Sequence, residues 1–225
     1  MDFDEAVATA PPGWRHFRVD DIARLPPAVQ AHELARAPAG LDGDRLVRGL
    51  FWTLVYHLEP QWWDELARFE PIHPEVIDAL PERVDTALDV GAGSGRLTQH
   101  LARRARHTVA IEPAAGLRAL LQGRLPGVQA IAGWAEHLPV RDRSSQLTAA
   151  CGAFGPDPVV LRELERVTAT GGLIALVSPE RPEWFADHGW RRVWAPPIAA
   201  PPHPPWIDEF FGPPDPPHEL VMLQV

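Results

Sequence analysis

The stretch ALDVGAGSGRLTQHLA, residues 87–102, sets glycine at 91, 93 and 95, where an apolar run stops and a helix-like period starts. A backbone stripped of side chains at that junction suits a strand that turns tightly into a helix and lets a ligand come close. TALDV (86–90), HTVAIE (107–112), VQAIAG (128–133), LTAACGAF (147–154) and GGLIALVS (171–178) read as strands. Between them run helical periods carrying Leu97, Leu101 and Ala105, then Leu117, Leu120 and Leu121, then Leu161, Leu164 and Val167. Strands alternating with helices at this spacing predict βαβ units, hence a doubly wound, mostly parallel α/β sheet covered on both faces.

The flanks differ in composition. Leu50, Leu54 and Leu58, then Trp62, Leu66 and Phe69, recur at three- and four-residue intervals around Pro60, which predicts two helices broken near Glu59–Pro60. At the other end, APPIAAPPHPPW and FGPPDPPHEL accompany two last strand candidates, WRRVWA and ELVMLQV. Proline at that density continues neither a helix nor a central strand, so stiff, partly extended surface loops are expected there. The chain thus divides into an N-terminal helical segment, 1–80, and an α/β domain, 81–225, with Pro-rich C-terminal loops.

Composition excludes several functions. The net charge of −9 over 225 residues disfavours a nucleic-acid partner, whose phosphates are held mainly by basic side chains. All 21 basic residues are arginine, and asparagine is absent, so no lysine is available for a Schiff base or a P-loop. The single cysteine, Cys151, makes no internal disulfide, and histidine spacing carries no zinc pattern, so no metal is expected. No run approaches the roughly 18 apolar residues of a membrane span, and the acidic start lacks the features of a signal peptide, which points to a cytoplasmic protein with no membrane partner.

A dinucleotide fingerprint reads G-x-G-x-x-G, whereas here the third glycine comes one residue early, widening the loop for something bulkier than a phosphate oxygen. Asp89 precedes the loop, and Glu112 stands at the end of the second strand, 17 residues beyond Gly95. A carboxylate there can accept hydrogen bonds from both ribose hydroxyls, while Asp89 repels a phosphate and suits an ammonium. The ligand implied is an adenosine with a zwitterionic tail.

At these residues the chain resembles the class I S-adenosylmethionine-dependent methyltransferases. LDVGAGSGRLTQHLA is similar to the family's first motif, VAIEPA to its acidic second-strand end, and GWAEHLPVRDRSSQLTAACGAF to its third-strand loop and fourth strand. LRELERVTATGGLIALVSP resembles the following helix, turn and fifth strand, so the likeness covers about residues 84–180. The resemblance implies seven strands, the last antiparallel, under an N-terminal helical lid, with S-adenosylmethionine as cofactor. It places Gly91, Ala92, Gly93 and Gly95 at the methionine part, Asp89 toward that loop or its ammonium, and Glu112 on the ribose. Ala135 and Glu136 fall in the loop that addresses adenine, and Cys151 falls beside the methyl donor. Trp134 departs from the family, standing where many members carry an aspartate.

Methyl transfer to a small-molecule acceptor through an oxygen, nitrogen or carbon nucleophile is the expected activity. The protein's task would be to position, dehydrate and, for a hydroxyl, accept a proton. His57, His73, His137, His188 and Tyr56 are candidate bases, and Tyr56 or His57 is expected to face the methyl group. Trp52, Trp62 and Trp63 either dehydrate the site or form the core of the helical layer. A second reading stays open, a cofactor-binding or interaction module without turnover, because no base is obvious. Nicotinamide-dependent hydride transfer is disfavoured by the glycine spacing, and a homodimer is left open.

Overall fold

Val84–Val90 (β1) reads VDTALDV, and its last four residues are all buried, as a strand covered on both faces requires. A computed structural model describes residues 3–225; Met1 and Asp2 of the acidic start lie outside it. The other strands are Ala105–Ile111 (β2), Gln129–Ile131 (β3), Ser145–Cys151 (β4), Thr168–Val177 (β5), Arg191–Trp194 (β6) and Glu219–Gln224 (β7). They form one sheet in the order β3-β2-β1-β4-β5-β7-β6. The first five are mutually parallel, and β7 runs antiparallel to both β5 and β6. The chain steps outward from β1 to β2 and β3, then returns past β1 to β4. That reversal leaves a crevice at the carboxyl ends of β1 and β4.

Helices Phe3–Thr9 (α1), Pro27–Arg36 (α2), Gly43–Gly49 (α3), Phe51–Leu58 (α4), Pro60–Phe69 (α5) and Pro74–Asp78 (α6) precede the sheet. Thr98–Leu101 (α7), Ala115–Arg124 (α8), Pro158–Val167 (α9), Pro182–Asp187 (α10) and Pro205–Phe211 (α11) connect its strands. Successive strand residues point to opposite faces, which divides the core in two. Ala87, Ala149, Ala175 and Met222 pack on one side with Leu97, Leu101 and Val76; Leu88, Val90, Ala150, Leu176 and Val221 pack on the other with Val160, Leu164 and Phe185. The break at Pro60 lies where expected, because proline at the first position of α5 removes an N–H that has no helical partner there. No helix of the described residues is long and apolar enough to cross a membrane.

Two expectations are corrected. Ala105 does not continue the helix after the glycines: α7 stops at Leu101, and Ala105 opens β2 paired with Val84. The edge of β1 captures that segment, with the Val84 N–H donating to the Arg104 carbonyl at 2.9 Å. The Pro-rich tail is also not loop throughout. Pro205 occupies the first turn of α11, where proline is tolerated, and α11 buries Ile207 and Phe211. Those two side chains complete the apolar cluster of Phe51, Leu54, Val55 and Leu66, so the core of the N-terminal layer draws on both ends of the chain. Ile207 is fully buried. Ile207→Ala is therefore expected to lower unfolding free energy by about 2–5 kcal/mol in urea titration, against within about 0.5 kcal/mol for a surface-loop residue.

Candidate active site

Gly91, Gly93 and Gly95 have φ of 71°, 55° and 101°, the left-handed region that side chains resist. This turns the bend back onto β2: the Gly91 and Ala92 N–H groups both donate to the Ile111 carbonyl, at 2.9 and 3.0 Å. Each glycine also meets a different neighbour. A Cβ at Gly91 would lie 2.9 Å from the Ala153 Cβ, at Gly93 3.0 Å from Trp63 Nε1, and at Gly95 3.2 Å from the Leu121 Cγ.

Glu112 follows β2 and is turned inward, 5% exposed. Its Oε2 accepts the Gly93 N–H at 2.9 Å and its Oε1 the Ala114 N–H at 2.8 Å. Burial pushes its carboxyl above the usual range, and those two backbone donors pull against the shift. Arg118 of α8 donates to the Glu112 and Pro113 carbonyls at 2.5 and 2.8 Å, fixing the strand end.

These elements enclose a cavity of about 640 Å³ at the carboxyl end of the sheet, within the range of small-molecule sites. Gly91, Gly93, Glu112, Ala135, Glu136, Cys151, Tyr56 and His57 all line it. Asp89, Ala92 and Gly95 do not. Asp89 sits beneath, 1% exposed, its Oδ2 accepting the Thr98 hydroxyl at 2.5 Å, while Oδ1 has no partner among the described residues. Ala92 is buried with Leu121 and Val128, and Gly95 packs on α8. His73, His137 and His188 also lie outside the cavity lining. His73 caps α6 by accepting the Glu75 N–H at 3.1 Å, and His188 stacks on Trp184 with ring centroids 3.8 Å apart.

Thr53, Tyr56 and His57 share one face of α4 and line the cavity, and none of their side chains has a hydrogen-bond partner among the described residues. Burial lowers His57 to about 4, assisted by the nearby Arg118 charge, so its imidazole is neutral at neutral pH. Burial raises the Tyr56 phenol, with the Glu112 charge adding to the shift, so it stays protonated. Burial likewise raises the Cys151 thiol, which is the opposite of a reactive thiolate.

Several lining residues escaped the sequence reading. His32, Glu33 and Arg36 of α2 form one wall. His32 stacks on Trp134 at 3.9 Å with rings 17° apart, and Glu136 pairs with Arg36 at 3.2 Å and with His32 at 3.4 Å. Trp63 of α5 covers the glycine bend, and Glu180 and Arg181 close the far side. The next residue along α5, Asp64, is buried and accepts two hydrogen bonds from Arg124 Nη2 at 2.7 and 2.9 Å, while Arg124 Nη1 donates to the Ser94 carbonyl at 2.9 Å. Pairings separated by 100 or 60 residues carry no local sequence signal.

Known proteins are similar to parts of this chain. A family model described as methyltransferase domain matches residues 87–172. An uncharacterized methyltransferase of Mycobacterium tuberculosis is 36% identical over 122 residues, covering 53% of this chain and 49% of that protein. A ubiquinone biosynthesis O-methyltransferase of Hahella chejuensis is 37% identical over 79 residues, 32% of each chain. The chain spans about half the length of the first of these relatives and less of the second. A SAM dependent methyltransferase from Aquifex aeolicus shares the fold, with TM-score 0.50 and 18% identity over 73% of this chain and 95% of that one.

Burial holds the Asp89 carboxyl up at about 7, opposed by the Thr98 hydroxyl and reinforced by the Glu112 charge. A folded-state value above the unfolded one means stability present at low pH and lost as pH rises from about 4 to about 7. Asp89→Asn keeps an oxygen for Thr98 and removes that loss. Its stability advantage over the parent should grow across this window, by on the order of 4 kcal/mol, and then level off, as read by chemical denaturation at pH 4 to 8.

Proposed function

We propose that this chain, whose residues 87–172 match a methyltransferase domain and which resembles the class I S-adenosylmethionine-dependent methyltransferases, methylates a small hydroxyl-bearing acceptor. The observation that carries the cofactor reading is Glu112: a buried carboxylate, fixed to the glycine bend through Gly93 and lining the cavity, where bulk water cannot compete for it. The donor set fits the nucleoside. Glu112 retains acceptor capacity for ribose hydroxyls, Gly91 and Gly93 leave backbone open to close approach, and Trp134 and Ala135 give an adenine ring an apolar flank. Asp89 acts from below, shaping the bend through Thr98.

Bound there, S-adenosylmethionine supplies a methyl group on a sulfonium, already activated for in-line displacement. The chain's own residues supply the rest. Tyr56, Thr53 and His57 orient the acceptor from α4. A hydroxyl sheds a proton as it takes a methyl group, and the neutral His57 imidazole accepts it. The protonated Tyr56 phenol donates to the acceptor oxygen and holds a lone pair in line. Phe154, Pro156 and Val160 on the facing wall keep water away. The O-methyltransferase name of the Hahella relative supports an oxygen nucleophile.

Calorimetric titration with S-adenosylhomocysteine tests the cofactor reading: the parent should bind, and Glu112→Gln should bind about 10- to 100-fold more weakly, the loss of a charge-assisted hydrogen bond. No affinity in the parent overturns the reading. In a product assay with phenols and alcohols, His57→Gln should lower kcat about 100-fold while S-adenosylhomocysteine affinity holds. Because the base form of His57 persists down to about 4, the acid limb of the parent's kcat profile should lie near that pH and not near 6.5.

A further inference from the structure

Trp63 contributes a donor that nothing in the protein uses. Its indole Nε1 stands 3.0 Å from the position a Gly93 Cβ would take, on the cavity side of the bend. The side chain is half-buried and lines the cavity, and its N–H makes no hydrogen bond to another described residue, which leaves it free to meet a ligand there. Nor can the ring swing away. It meets Trp52 and Tyr56 edge-on, at centroid distances of 5.7 and 5.0 Å, and the Arg96 guanidinium lies 5.6 Å from its centroid. Arg96 is itself held by Glu70 at 2.6 Å, and Asp64 ties the same helix to Arg124.

The groups around Gly93 differ by side: the Glu112 carboxylate accepts the Gly93 N–H from the β2 side, and the indole N–H of Trp63 stands on the side of the N-terminal layer, where the Arg96 charge is already paired with Glu70. A cation beside the indole withdraws electron density and strengthens the N–H as a donor to an anion. A ligand end that fits both sides carries an ammonium and a carboxylate on one carbon.

The geometry points to Trp63 as a cofactor-binding residue supplied by the N-terminal layer, its indole N–H taking the carboxylate at the amino-acid end of the nucleoside. This rests on the cofactor reading above and adds the residue that distinguishes a nucleoside with an amino-acid tail from one without.

The test compares two ligands by calorimetry: S-adenosylhomocysteine, which has the amino-acid end, and 5′-methylthioadenosine, which lacks it. Trp63→Phe keeps a ring and removes the N–H. It should weaken S-adenosylhomocysteine about 10- to 100-fold and leave methylthioadenosine within about twofold. Trp62→Phe, one residue earlier and lining a separate outer groove with Trp206 and Phe210, should change neither. Equal weakening of both ligands in Trp63→Phe, as a collapsed bend would give, overturns the assignment, and so does no weakening of either. A parent protein that binds neither ligand removes the cofactor reading itself, and this inference with it. Methylthioadenosine binding by the variant doubles as the check that the site still folds.

Discussion

The peptide N–H groups of Gly91, Ala92 and Gly93 all point toward the end of β2, the first two to the Ile111 carbonyl and the third to the Glu112 carboxylate. Only a left-handed backbone at alternate positions presents them this way, since each reversal re-aims the following amide. Much of the site follows from this. Glu112 can be buried because its charge is met by two backbone donors. With its carboxylate held inward, the space beyond the ends of β1 and β4 becomes an acid-lined cavity instead of an open groove. Alanine at Gly91 would both strain the backbone and drive a Cβ to 2.9 Å from Ala153, closing the crevice from within.

The N-terminal layer is attached to that framework unequally. α5 is anchored by carboxylates out of water: Asp64, 4% exposed, pairs with the partly exposed Arg124, and Glu70 pairs with Arg96 at 14% and 12% exposure. Breaking such a pair leaves a buried charge uncompensated. α2 is held by Arg36, 55% exposed, and His32 on Glu136, and exposed pairs contribute little. The layer therefore has a fixed side, which keeps Trp63 over the bend, and a loosely held side, where α2 meets the loop after β3.

What could be read from the sequence follows the range of each interaction. The strands, the turn at the glycines and the helix break at Pro60 are set by neighbours within a few residues, and those were legible. Glu112 was legible because its place after β2 is set by the βαβ repeat. α11 was hidden by composition: proline density masked the i, i+3, i+4 spacing of Ile207, Phe210 and Phe211 and the tolerance for proline at a first turn. The α2 wall and Trp63 depend on tertiary packing between distant segments. For Asp89, sequence gave proximity to the bend but not depth. The alternation of β1 puts it on the face with Ala87, under Thr98, one layer below the ligand space.

The same low-dielectric interior acts on opposite kinds of group and sorts their roles. Desolvation penalises whichever form is charged, so it lifts Asp89, Glu112, Tyr56 and Cys151 and lowers His57. His57 is thereby neutral and Tyr56 protonated, both on the face of α4 that lines the cavity. The Glu112 charge at the cavity wall raises the Asp89 carboxyl beneath the bend, and a positive charge placed in the cavity relieves that repulsion while favouring their ionised forms. A cationic ligand is thus drawn to the site by the same burial that makes the empty site costly to fold, which places the destabilising charge where binding compensates it.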